Sequence, residues 1–190
     1  MTSLFFRAAV VAVAFSAAAA RAEAPDRQVL VYSPWTKFCF KEICFTGTDA
    51  RLRCKPVAAA VLIDKSGDHK KTLRVTLPPS VDRDRGASIA IDQAQPNARP
   101  FTECRANGCM AEYEVGPELM NQLTRGSELR VSGVDQTGSP LSIPLPLAGF
   151  AAANQGPATQ PKVFEASQQE LKEELERRKK ASDADCASPQ

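Results

Sequence analysis

The chain has 190 residues, 43% hydrophobic and 24% charged, and carries a formal net charge of +2. That is globular composition, which excludes wholesale disorder, and no long basic tract supports non-specific nucleic-acid binding. A single histidine, His69, excludes multi-histidine metal sites, and the length suits one domain with an appendage.

The N-terminus predicts export. Met1 to Arg7 is a short basic region, Ala8 to Ala20 is an apolar run broken only by Ser16, and Ala20-Arg21-Ala22 is a small-x-small cleavage pattern. Thirteen residues cover about 20 Å as a helix, short of a bilayer span, so no transmembrane anchor is expected. Residues 1–22 therefore read as a signal peptide. Cleavage after Ala22 removes Arg7 and Arg21 and leaves acidic and basic groups in balance.

Export decides how the six cysteines are read. Cys39/Cys44 and Cys104/Cys109 share C-x4-C spacing, and in an oxidising compartment such pairs become local disulfides. Asn107-Gly108 is a tight-turn signal, so a four-residue loop can set Cys104 opposite Cys109. A four-cysteine zinc site is the competing reading, but its ligand pairs are commonly C-x2-C. Cys54 and Cys186 are left over and could pair with each other.

Strands come first along the chain. Gln28–Tyr32 and Trp35–Phe40 are separated by Ser33-Pro34, and Ile43–Thr46 is a short extended run. Val57–Ile63 is almost continuously apolar, as in a strand buried on both faces. After a turn at 64–68, Thr72–Leu77 alternates cleanly, and Ala87, Ile89 and Ile91 repeat the pattern. A turn at Gln95-Pro96-Asn97 leads to a hairpin of Phe101–Cys104 and Cys109–Val115. Gly116-Pro117-Glu118 starts a short helix with Leu119, Met120 and Leu123 on one face, and Gly126 is placed to end it. Strands resume at Glu128–Asp135 and Leu141–Leu147. In the latter, Pro140, Pro144 and Pro146 share parity and strip donors from one side, which marks an edge strand.

The fold class expected is all-β: an antiparallel β-sandwich over residues 23–153 with one short inserted helix, plus a C-terminal charged α-helix. Residues 154–163 read as a linker and 164–190 as a charged helical tail. Phe164, Leu171 and Leu175 form its sparse apolar stripe, and Glu173–Arg177, Glu174–Arg178 and Glu176–Lys180 lie at i,i+4.

No catalytic constellation emerges. His69 sits in a turn beside acids and a serine, whereas a triad is assembled by the fold rather than by sequence neighbours. Glu112 and Glu114 share a strand face about 7 Å apart, a spacing glycosidase carboxylates can show, but nothing else marks a sugar cleft. Trp35, Phe38 and Phe40 form a possible partner surface; packing beside the Cys39–Cys44 loop, with the indole over that bridge, is the expected role.

The segments Ser33-Pro34-Trp35-Thr36-Lys37-Phe38-Cys39, Leu73-Arg74-Val75-Thr76-Leu77-Pro78 and Phe101-Thr102-Glu103-Cys104-Arg105-Ala106-Asn107-Gly108-Cys109-Met110 carry a resemblance. With Pro144-Leu145-Pro146-Leu147-Ala148-Gly149-Phe150, they resemble the bacterial invasion-associated locus B family of exported proteins. The resemblance implies a small β-sandwich in the periplasm or on the outer surface, linked in some relatives to host-cell invasion. The family's cysteine pairs fall on Cys39/Cys44 and Cys104/Cys109, and no catalytic residue, cofactor or metal comes with it. The function expected is a non-enzymatic envelope or secreted interaction protein that binds a protein partner, on the host-cell surface or in the bacterial envelope, and no nucleic acid. The alternative is a periplasmic binding or stress-support protein for a small ligand or envelope polymer.

Overall fold

The computed structural model describes residues 29–53, 55–67 and 70–158. The predicted signal peptide, Cys54, His69, the predicted charged tail and Cys186 lie outside the described residues, as does the predicted linker beyond residue 158.

Among the described residues, eleven strands form two antiparallel sheets. The larger contains β1 (Leu30–Tyr32), β2 (Thr36–Phe40), β3 (Ile43–Leu52), β4 (Lys55–Lys65), β5 (Lys71–Leu77), β8 (Glu103–Arg105) and β9 (Gly108–Val115). Its order is β1-β3-β4-β5-β9-β8, with β2 also pairing β3. The smaller sheet, in order β11-β10-β6-β7, uses β6 (Ala87–Ile91), β7 (Asn97–Arg99), β10 (Glu128–Val134) and β11 (Pro140–Pro146). Helix α1 (Pro117–Arg125) links β9 to β10, and α2 (Phe150–Gln155) follows β11. This is the expected all-β sandwich.

The core is written by period-2 alternation. Leu73, Val75 and Leu77 of β5 are buried, as are Ala87, Ile89 and Ile91 of β6 and Ile143 and Leu145 of β11. Each fully buried leucine or valine contributes about 1.5–3 kcal/mol through lost water contact. Tyr113 of β9 ties the sheets together by donating its hydroxyl to Ala87 O at 2.9 Å. Burial of that phenol pushes its pKa up to about 12, because a phenolate there would lack solvent.

Four local readings are revised. First, β4 is buried on one face only: Ala58, Ala60 and Leu62 point inward, while Val61 and Ile63 stay half-buried on the outer face. An apolar run looks the same whether a second layer covers it or not. Second, β3 continues to Leu52 rather than ending at Thr46. Thr48 Oγ1 donates to Ser33 O and Ser33 donates its hydroxyl to Asp49 Oδ1, which holds the segment beyond Thr46 extended. Third, β7 pairs beside β6 where only a turn is expected.

Fourth, Asn154 and Gln155 belong to α2 rather than to a linker. Gly149 enters that helix at φ +88°, a conformation costly to other residues, and Phe150 is wholly buried. Gly126 ends α1 as expected, in an extended conformation. Its need is space, since a Cβ there would lie 2.5 Å from Ile91 Cγ2.

The edge expected from the three prolines is present. β11 pairs only with β10, and Pro140, Pro144 and Pro146 share the side that carries no partner strand. The carbonyl of Pro146 accepts from Trp35 Nε1 at 2.8 Å, so a side chain uses part of that edge.

Candidate functional site: the outer face of the larger sheet

Both predicted bridges form, Cys39–Cys44 and Cys104–Cys109, each with Cα atoms 4.0 Å apart. Each loop is tighter than the four-residue connection expected. Phe40 pairs with Ile43 and Arg105 with Gly108, so the turns are Lys41-Glu42 and Ala106-Asn107. In such a hairpin the pair flanking the turn exchanges hydrogen bonds and the next pair outward does not. That narrow second pair is where a cystine fits. Gly108 therefore sits at the start of β9 rather than at the turn centre, with φ +142° and room for no Cβ beside Leu77 O.

The same registers assemble a surface that the sequence leaves scattered. Phe38 faces Phe45, and Phe45 faces Ile63, making one apolar row across β2, β3 and β4. Phe40 and Ile43 form the next row toward the turn, and Gly47 and Val61 lie in the row behind. Phe38 is 37% exposed, Phe40 71% and Phe45 36%, values that set these rings apart from the core. Gly47 keeps the floor low, because a Cβ there would come within 3.1 Å of Val61 Cγ2. Pro34, Phe38, Phe45, Gly47, Asp49 and Val61 line a shallow depression of about 610 Å³.

Ion pairs border this apolar patch on β5 and β9. Arg74 donates Nε and Nη2 to Glu112 Oε1 at 2.9 and 2.7 Å. Lys71 meets Asp64 at 2.7 Å on the opposite face of the sheet, in the row of Cys44, and does not border the patch. Glu114 is 3.4 Å from Lys70. Glu112 and Glu114 are thus each engaged by a cation from the sheet or its adjoining turn. Their spacing is that of any strand face, and they do not converge on a cleft.

Trp35 does not belong to the surface. It is 8% exposed and meets Phe150 edge-on, with ring centroids 5.0 Å apart. The indole therefore packs on α2 and the β11 edge, and Cys39, which it was expected to cover, remains exposed. Lys37 has the same parity and donates Nζ to Asn154 O at 2.9 Å and Gly156 O at 3.2 Å. A cation on the last carbonyls of α2 complements the negative end of that short helix. Of the three aromatics singled out in the sequence, Phe38 and Phe40 face outward and Trp35 inward. Phe45 and Ile63 complete the patch; only the β2–β3–β4 register reveals them.

A second recess, of about 460 Å³, lies between β6 and α1 and is lined in part by Gln95, Asn97, Glu114, Glu118 and Gln122. Its polar groups are carboxamides and carboxylates on the rim of an open groove. Among the described residues no helix is long and apolar enough to cross a membrane.

Residues 35–158 match the family described as Invasion associated locus B (IalB) protein. The chain belongs to that family. Among solved structures, it is similar to the crystal structure of invasion associated protein b from Bartonella henselae, with a TM-score of 0.57 and 14% identity. That match covers 73% of this chain and 99% of the other. At this identity the likeness establishes the fold, and the β-sandwich is the IalB sandwich. A search of curated proteins found no match.

Proposed function

We propose that this IalB-family protein is a non-enzymatic interaction protein of the bacterial envelope, periplasmic or displayed outside, that binds a protein partner. The partner engages the outer face of the larger sheet. The observation that carries this reading is the outward-facing apolar row Phe38–Phe45–Ile63, with both rings exposed, continued by Phe40 and bordered by the Arg74–Glu112 pair. An apolar centre with a charged rim is how protein interfaces are built, and clustered exposed aromatics mark docking surfaces. A protein segment presenting apolar side chains fits a shallow patch of this kind better than a small molecule, which needs a deeper pocket. The two disulfides and the family support an extracytoplasmic location. The names of the family and of the similar Bartonella henselae protein support a link to host-cell invasion.

The test is a pair of steps. Immobilised wild-type protein captures a partner from envelope extract, and the purified partner is then titrated against wild type and the Phe40→Ser/Phe45→Ser double variant. Binding by wild type and a loss of more than about tenfold in the variant, with an unchanged melt, supports the reading. Equal binding by both proteins overturns it. The runner-up, a binding protein for a hydroxyl-rich envelope polymer, draws on the carboxamides of the β6–α1 recess; a polymer affinity lost in Gln122→Ala would favour it.

A further inference from the structure

We propose that the Cys39–Cys44 bridge is a thiol-exchange site, with Cys39 Sγ the atom attacked and a dithiol as the co-reactant. The Cys104–Cys109 bridge stays closed under the same conditions. The two have equal spacing, equal strand register and equal Cα separation, so the difference lies in their surroundings.

Exchange requires a thiolate to approach along the S–S axis and expel the far sulfur as a thiolate. Cys39 is exposed and Cys44 half-buried, and among the described residues β2 is paired only with β3, so one side of the strand carries no neighbour in the sheet. An incoming thiolate reaches Cys39, and the departing Cys44 is less deeply buried than Cys109. At the second bridge Cys109 is wholly buried and β9 lies between β5 and β8. Cys109 cannot be approached, and attack at the half-buried Cys104 would expel the Cys109 thiolate into the apolar core, where desolvation opposes charge.

The reaction balances without any further reagent. A donor thiolate forms a bond to Cys39 Sγ while the Cys39–Cys44 bond breaks, its electron pair going to Cys44 Sγ, which takes up a proton. The donor's second thiolate then attacks its own sulfur in the mixed disulfide and frees Cys39, which is protonated in turn. Two electrons and two protons have passed to the protein, and the donor is left as its disulfide. The Phe38–Phe45 and Phe40–Ile43 pairs precede and follow the bridge along the hairpin and point to the opposite face of the sheet. A consequence for partner docking rests on the reading of that surface given above; the exchange does not.

Dithiothreitol serves as the dithiol probe on the folded, exported protein. After graded exposure, free thiols are alkylated with iodoacetamide, the remaining bridges are reduced and labelled with a second mass tag, and each cysteine is read by peptide mass spectrometry. We expect Cys39 and Cys44 to carry the first tag at dithiothreitol concentrations about tenfold lower than Cys104 and Cys109, with unchanged Trp35 fluorescence. Simultaneous or reversed opening overturns the proposal, as does opening that occurs only in step with loss of the native Trp35 signal. Loss of partner binding on selective opening would tie exchange to docking. Retained binding would separate the two without touching the exchange result.

Discussion

Two hairpins of this protein carry the same covalent device: a two-residue turn, one strand pair, then a cystine whose Cα atoms are 4.0 Å apart. In the β8–β9 hairpin the second cysteine is a core residue, and the strand that follows supplies Ala111 and Tyr113 to the same interior. In the β2–β3 hairpin the cystine stands at a sheet edge, and the strand turns Phe38 and Phe40 outward. That hairpin is held to the body of the protein by Trp35, just before β2, and by Lys37 within it. The same local chemistry thus builds a fixed internal brace in one place and an exposed, aromatic-bearing flap in the other. What separates them is whether a second layer covers the strand.

The largest effect should come from cutting the edge hairpin's anchor. Trp35→Ala removes the Phe150 contact, the bond to Pro146 O and the buried ring, and should cost about 3–5 kcal/mol in denaturant melts. A cost below about 1 kcal/mol would mean the hairpin is held elsewhere. The bridges come next. Their loops are equal in length, so loop-closure entropy assigns each about 2 kcal/mol. Replacing Cys104 and Cys109 by alanine should cost about 1 kcal/mol more than replacing Cys39 and Cys44, because only Cys109 leaves a gap in the core. Equal losses from the two double variants would erase the contrast between brace and flap.

Smaller effects sharpen it. Tyr113→Phe leaves Ala87 O without its donor and should cost about 1 kcal/mol at neutral pH. The pH dependence has a definite sign. A phenol whose folded pKa is raised to about 12 stabilises fully below its unfolded value near 10 and loses that stabilisation as pH rises through 12. Stability should therefore fall over that window in wild type and fall less in Tyr113→Phe; parallel curves would refute the assignment. Smallest, Lys37→Met removes the cation from the end of α2 and should cost about 0.5–1 kcal/mol, seen as faster amide exchange at residues 152–156.

Much of this architecture was legible from the chain alone, and for local reasons. Strand alternation in β5 and β6 has a period of two residues, α1 carries its own start at Gly116-Pro117, and C-x4-C spacing specifies a cystine whenever a tight hairpin intervenes. The three prolines of β11 mark an edge because each deletes a donor from one side whatever lies beyond. Properties that depend on a neighbour distant in sequence were not legible. Val57–Ile63 looks fully buried, yet only the side under the smaller sheet is covered. Trp35 and Phe38 are equally apolar, and it is α2 and β11, more than a hundred residues later in the chain, that bury the indole and leave the phenyl rings outside. Sequence determined which side chains alternate; the packing of one sheet on the other decided which of the two faces became core and which became surface, because burial depends on what lies opposite rather than on the residue itself.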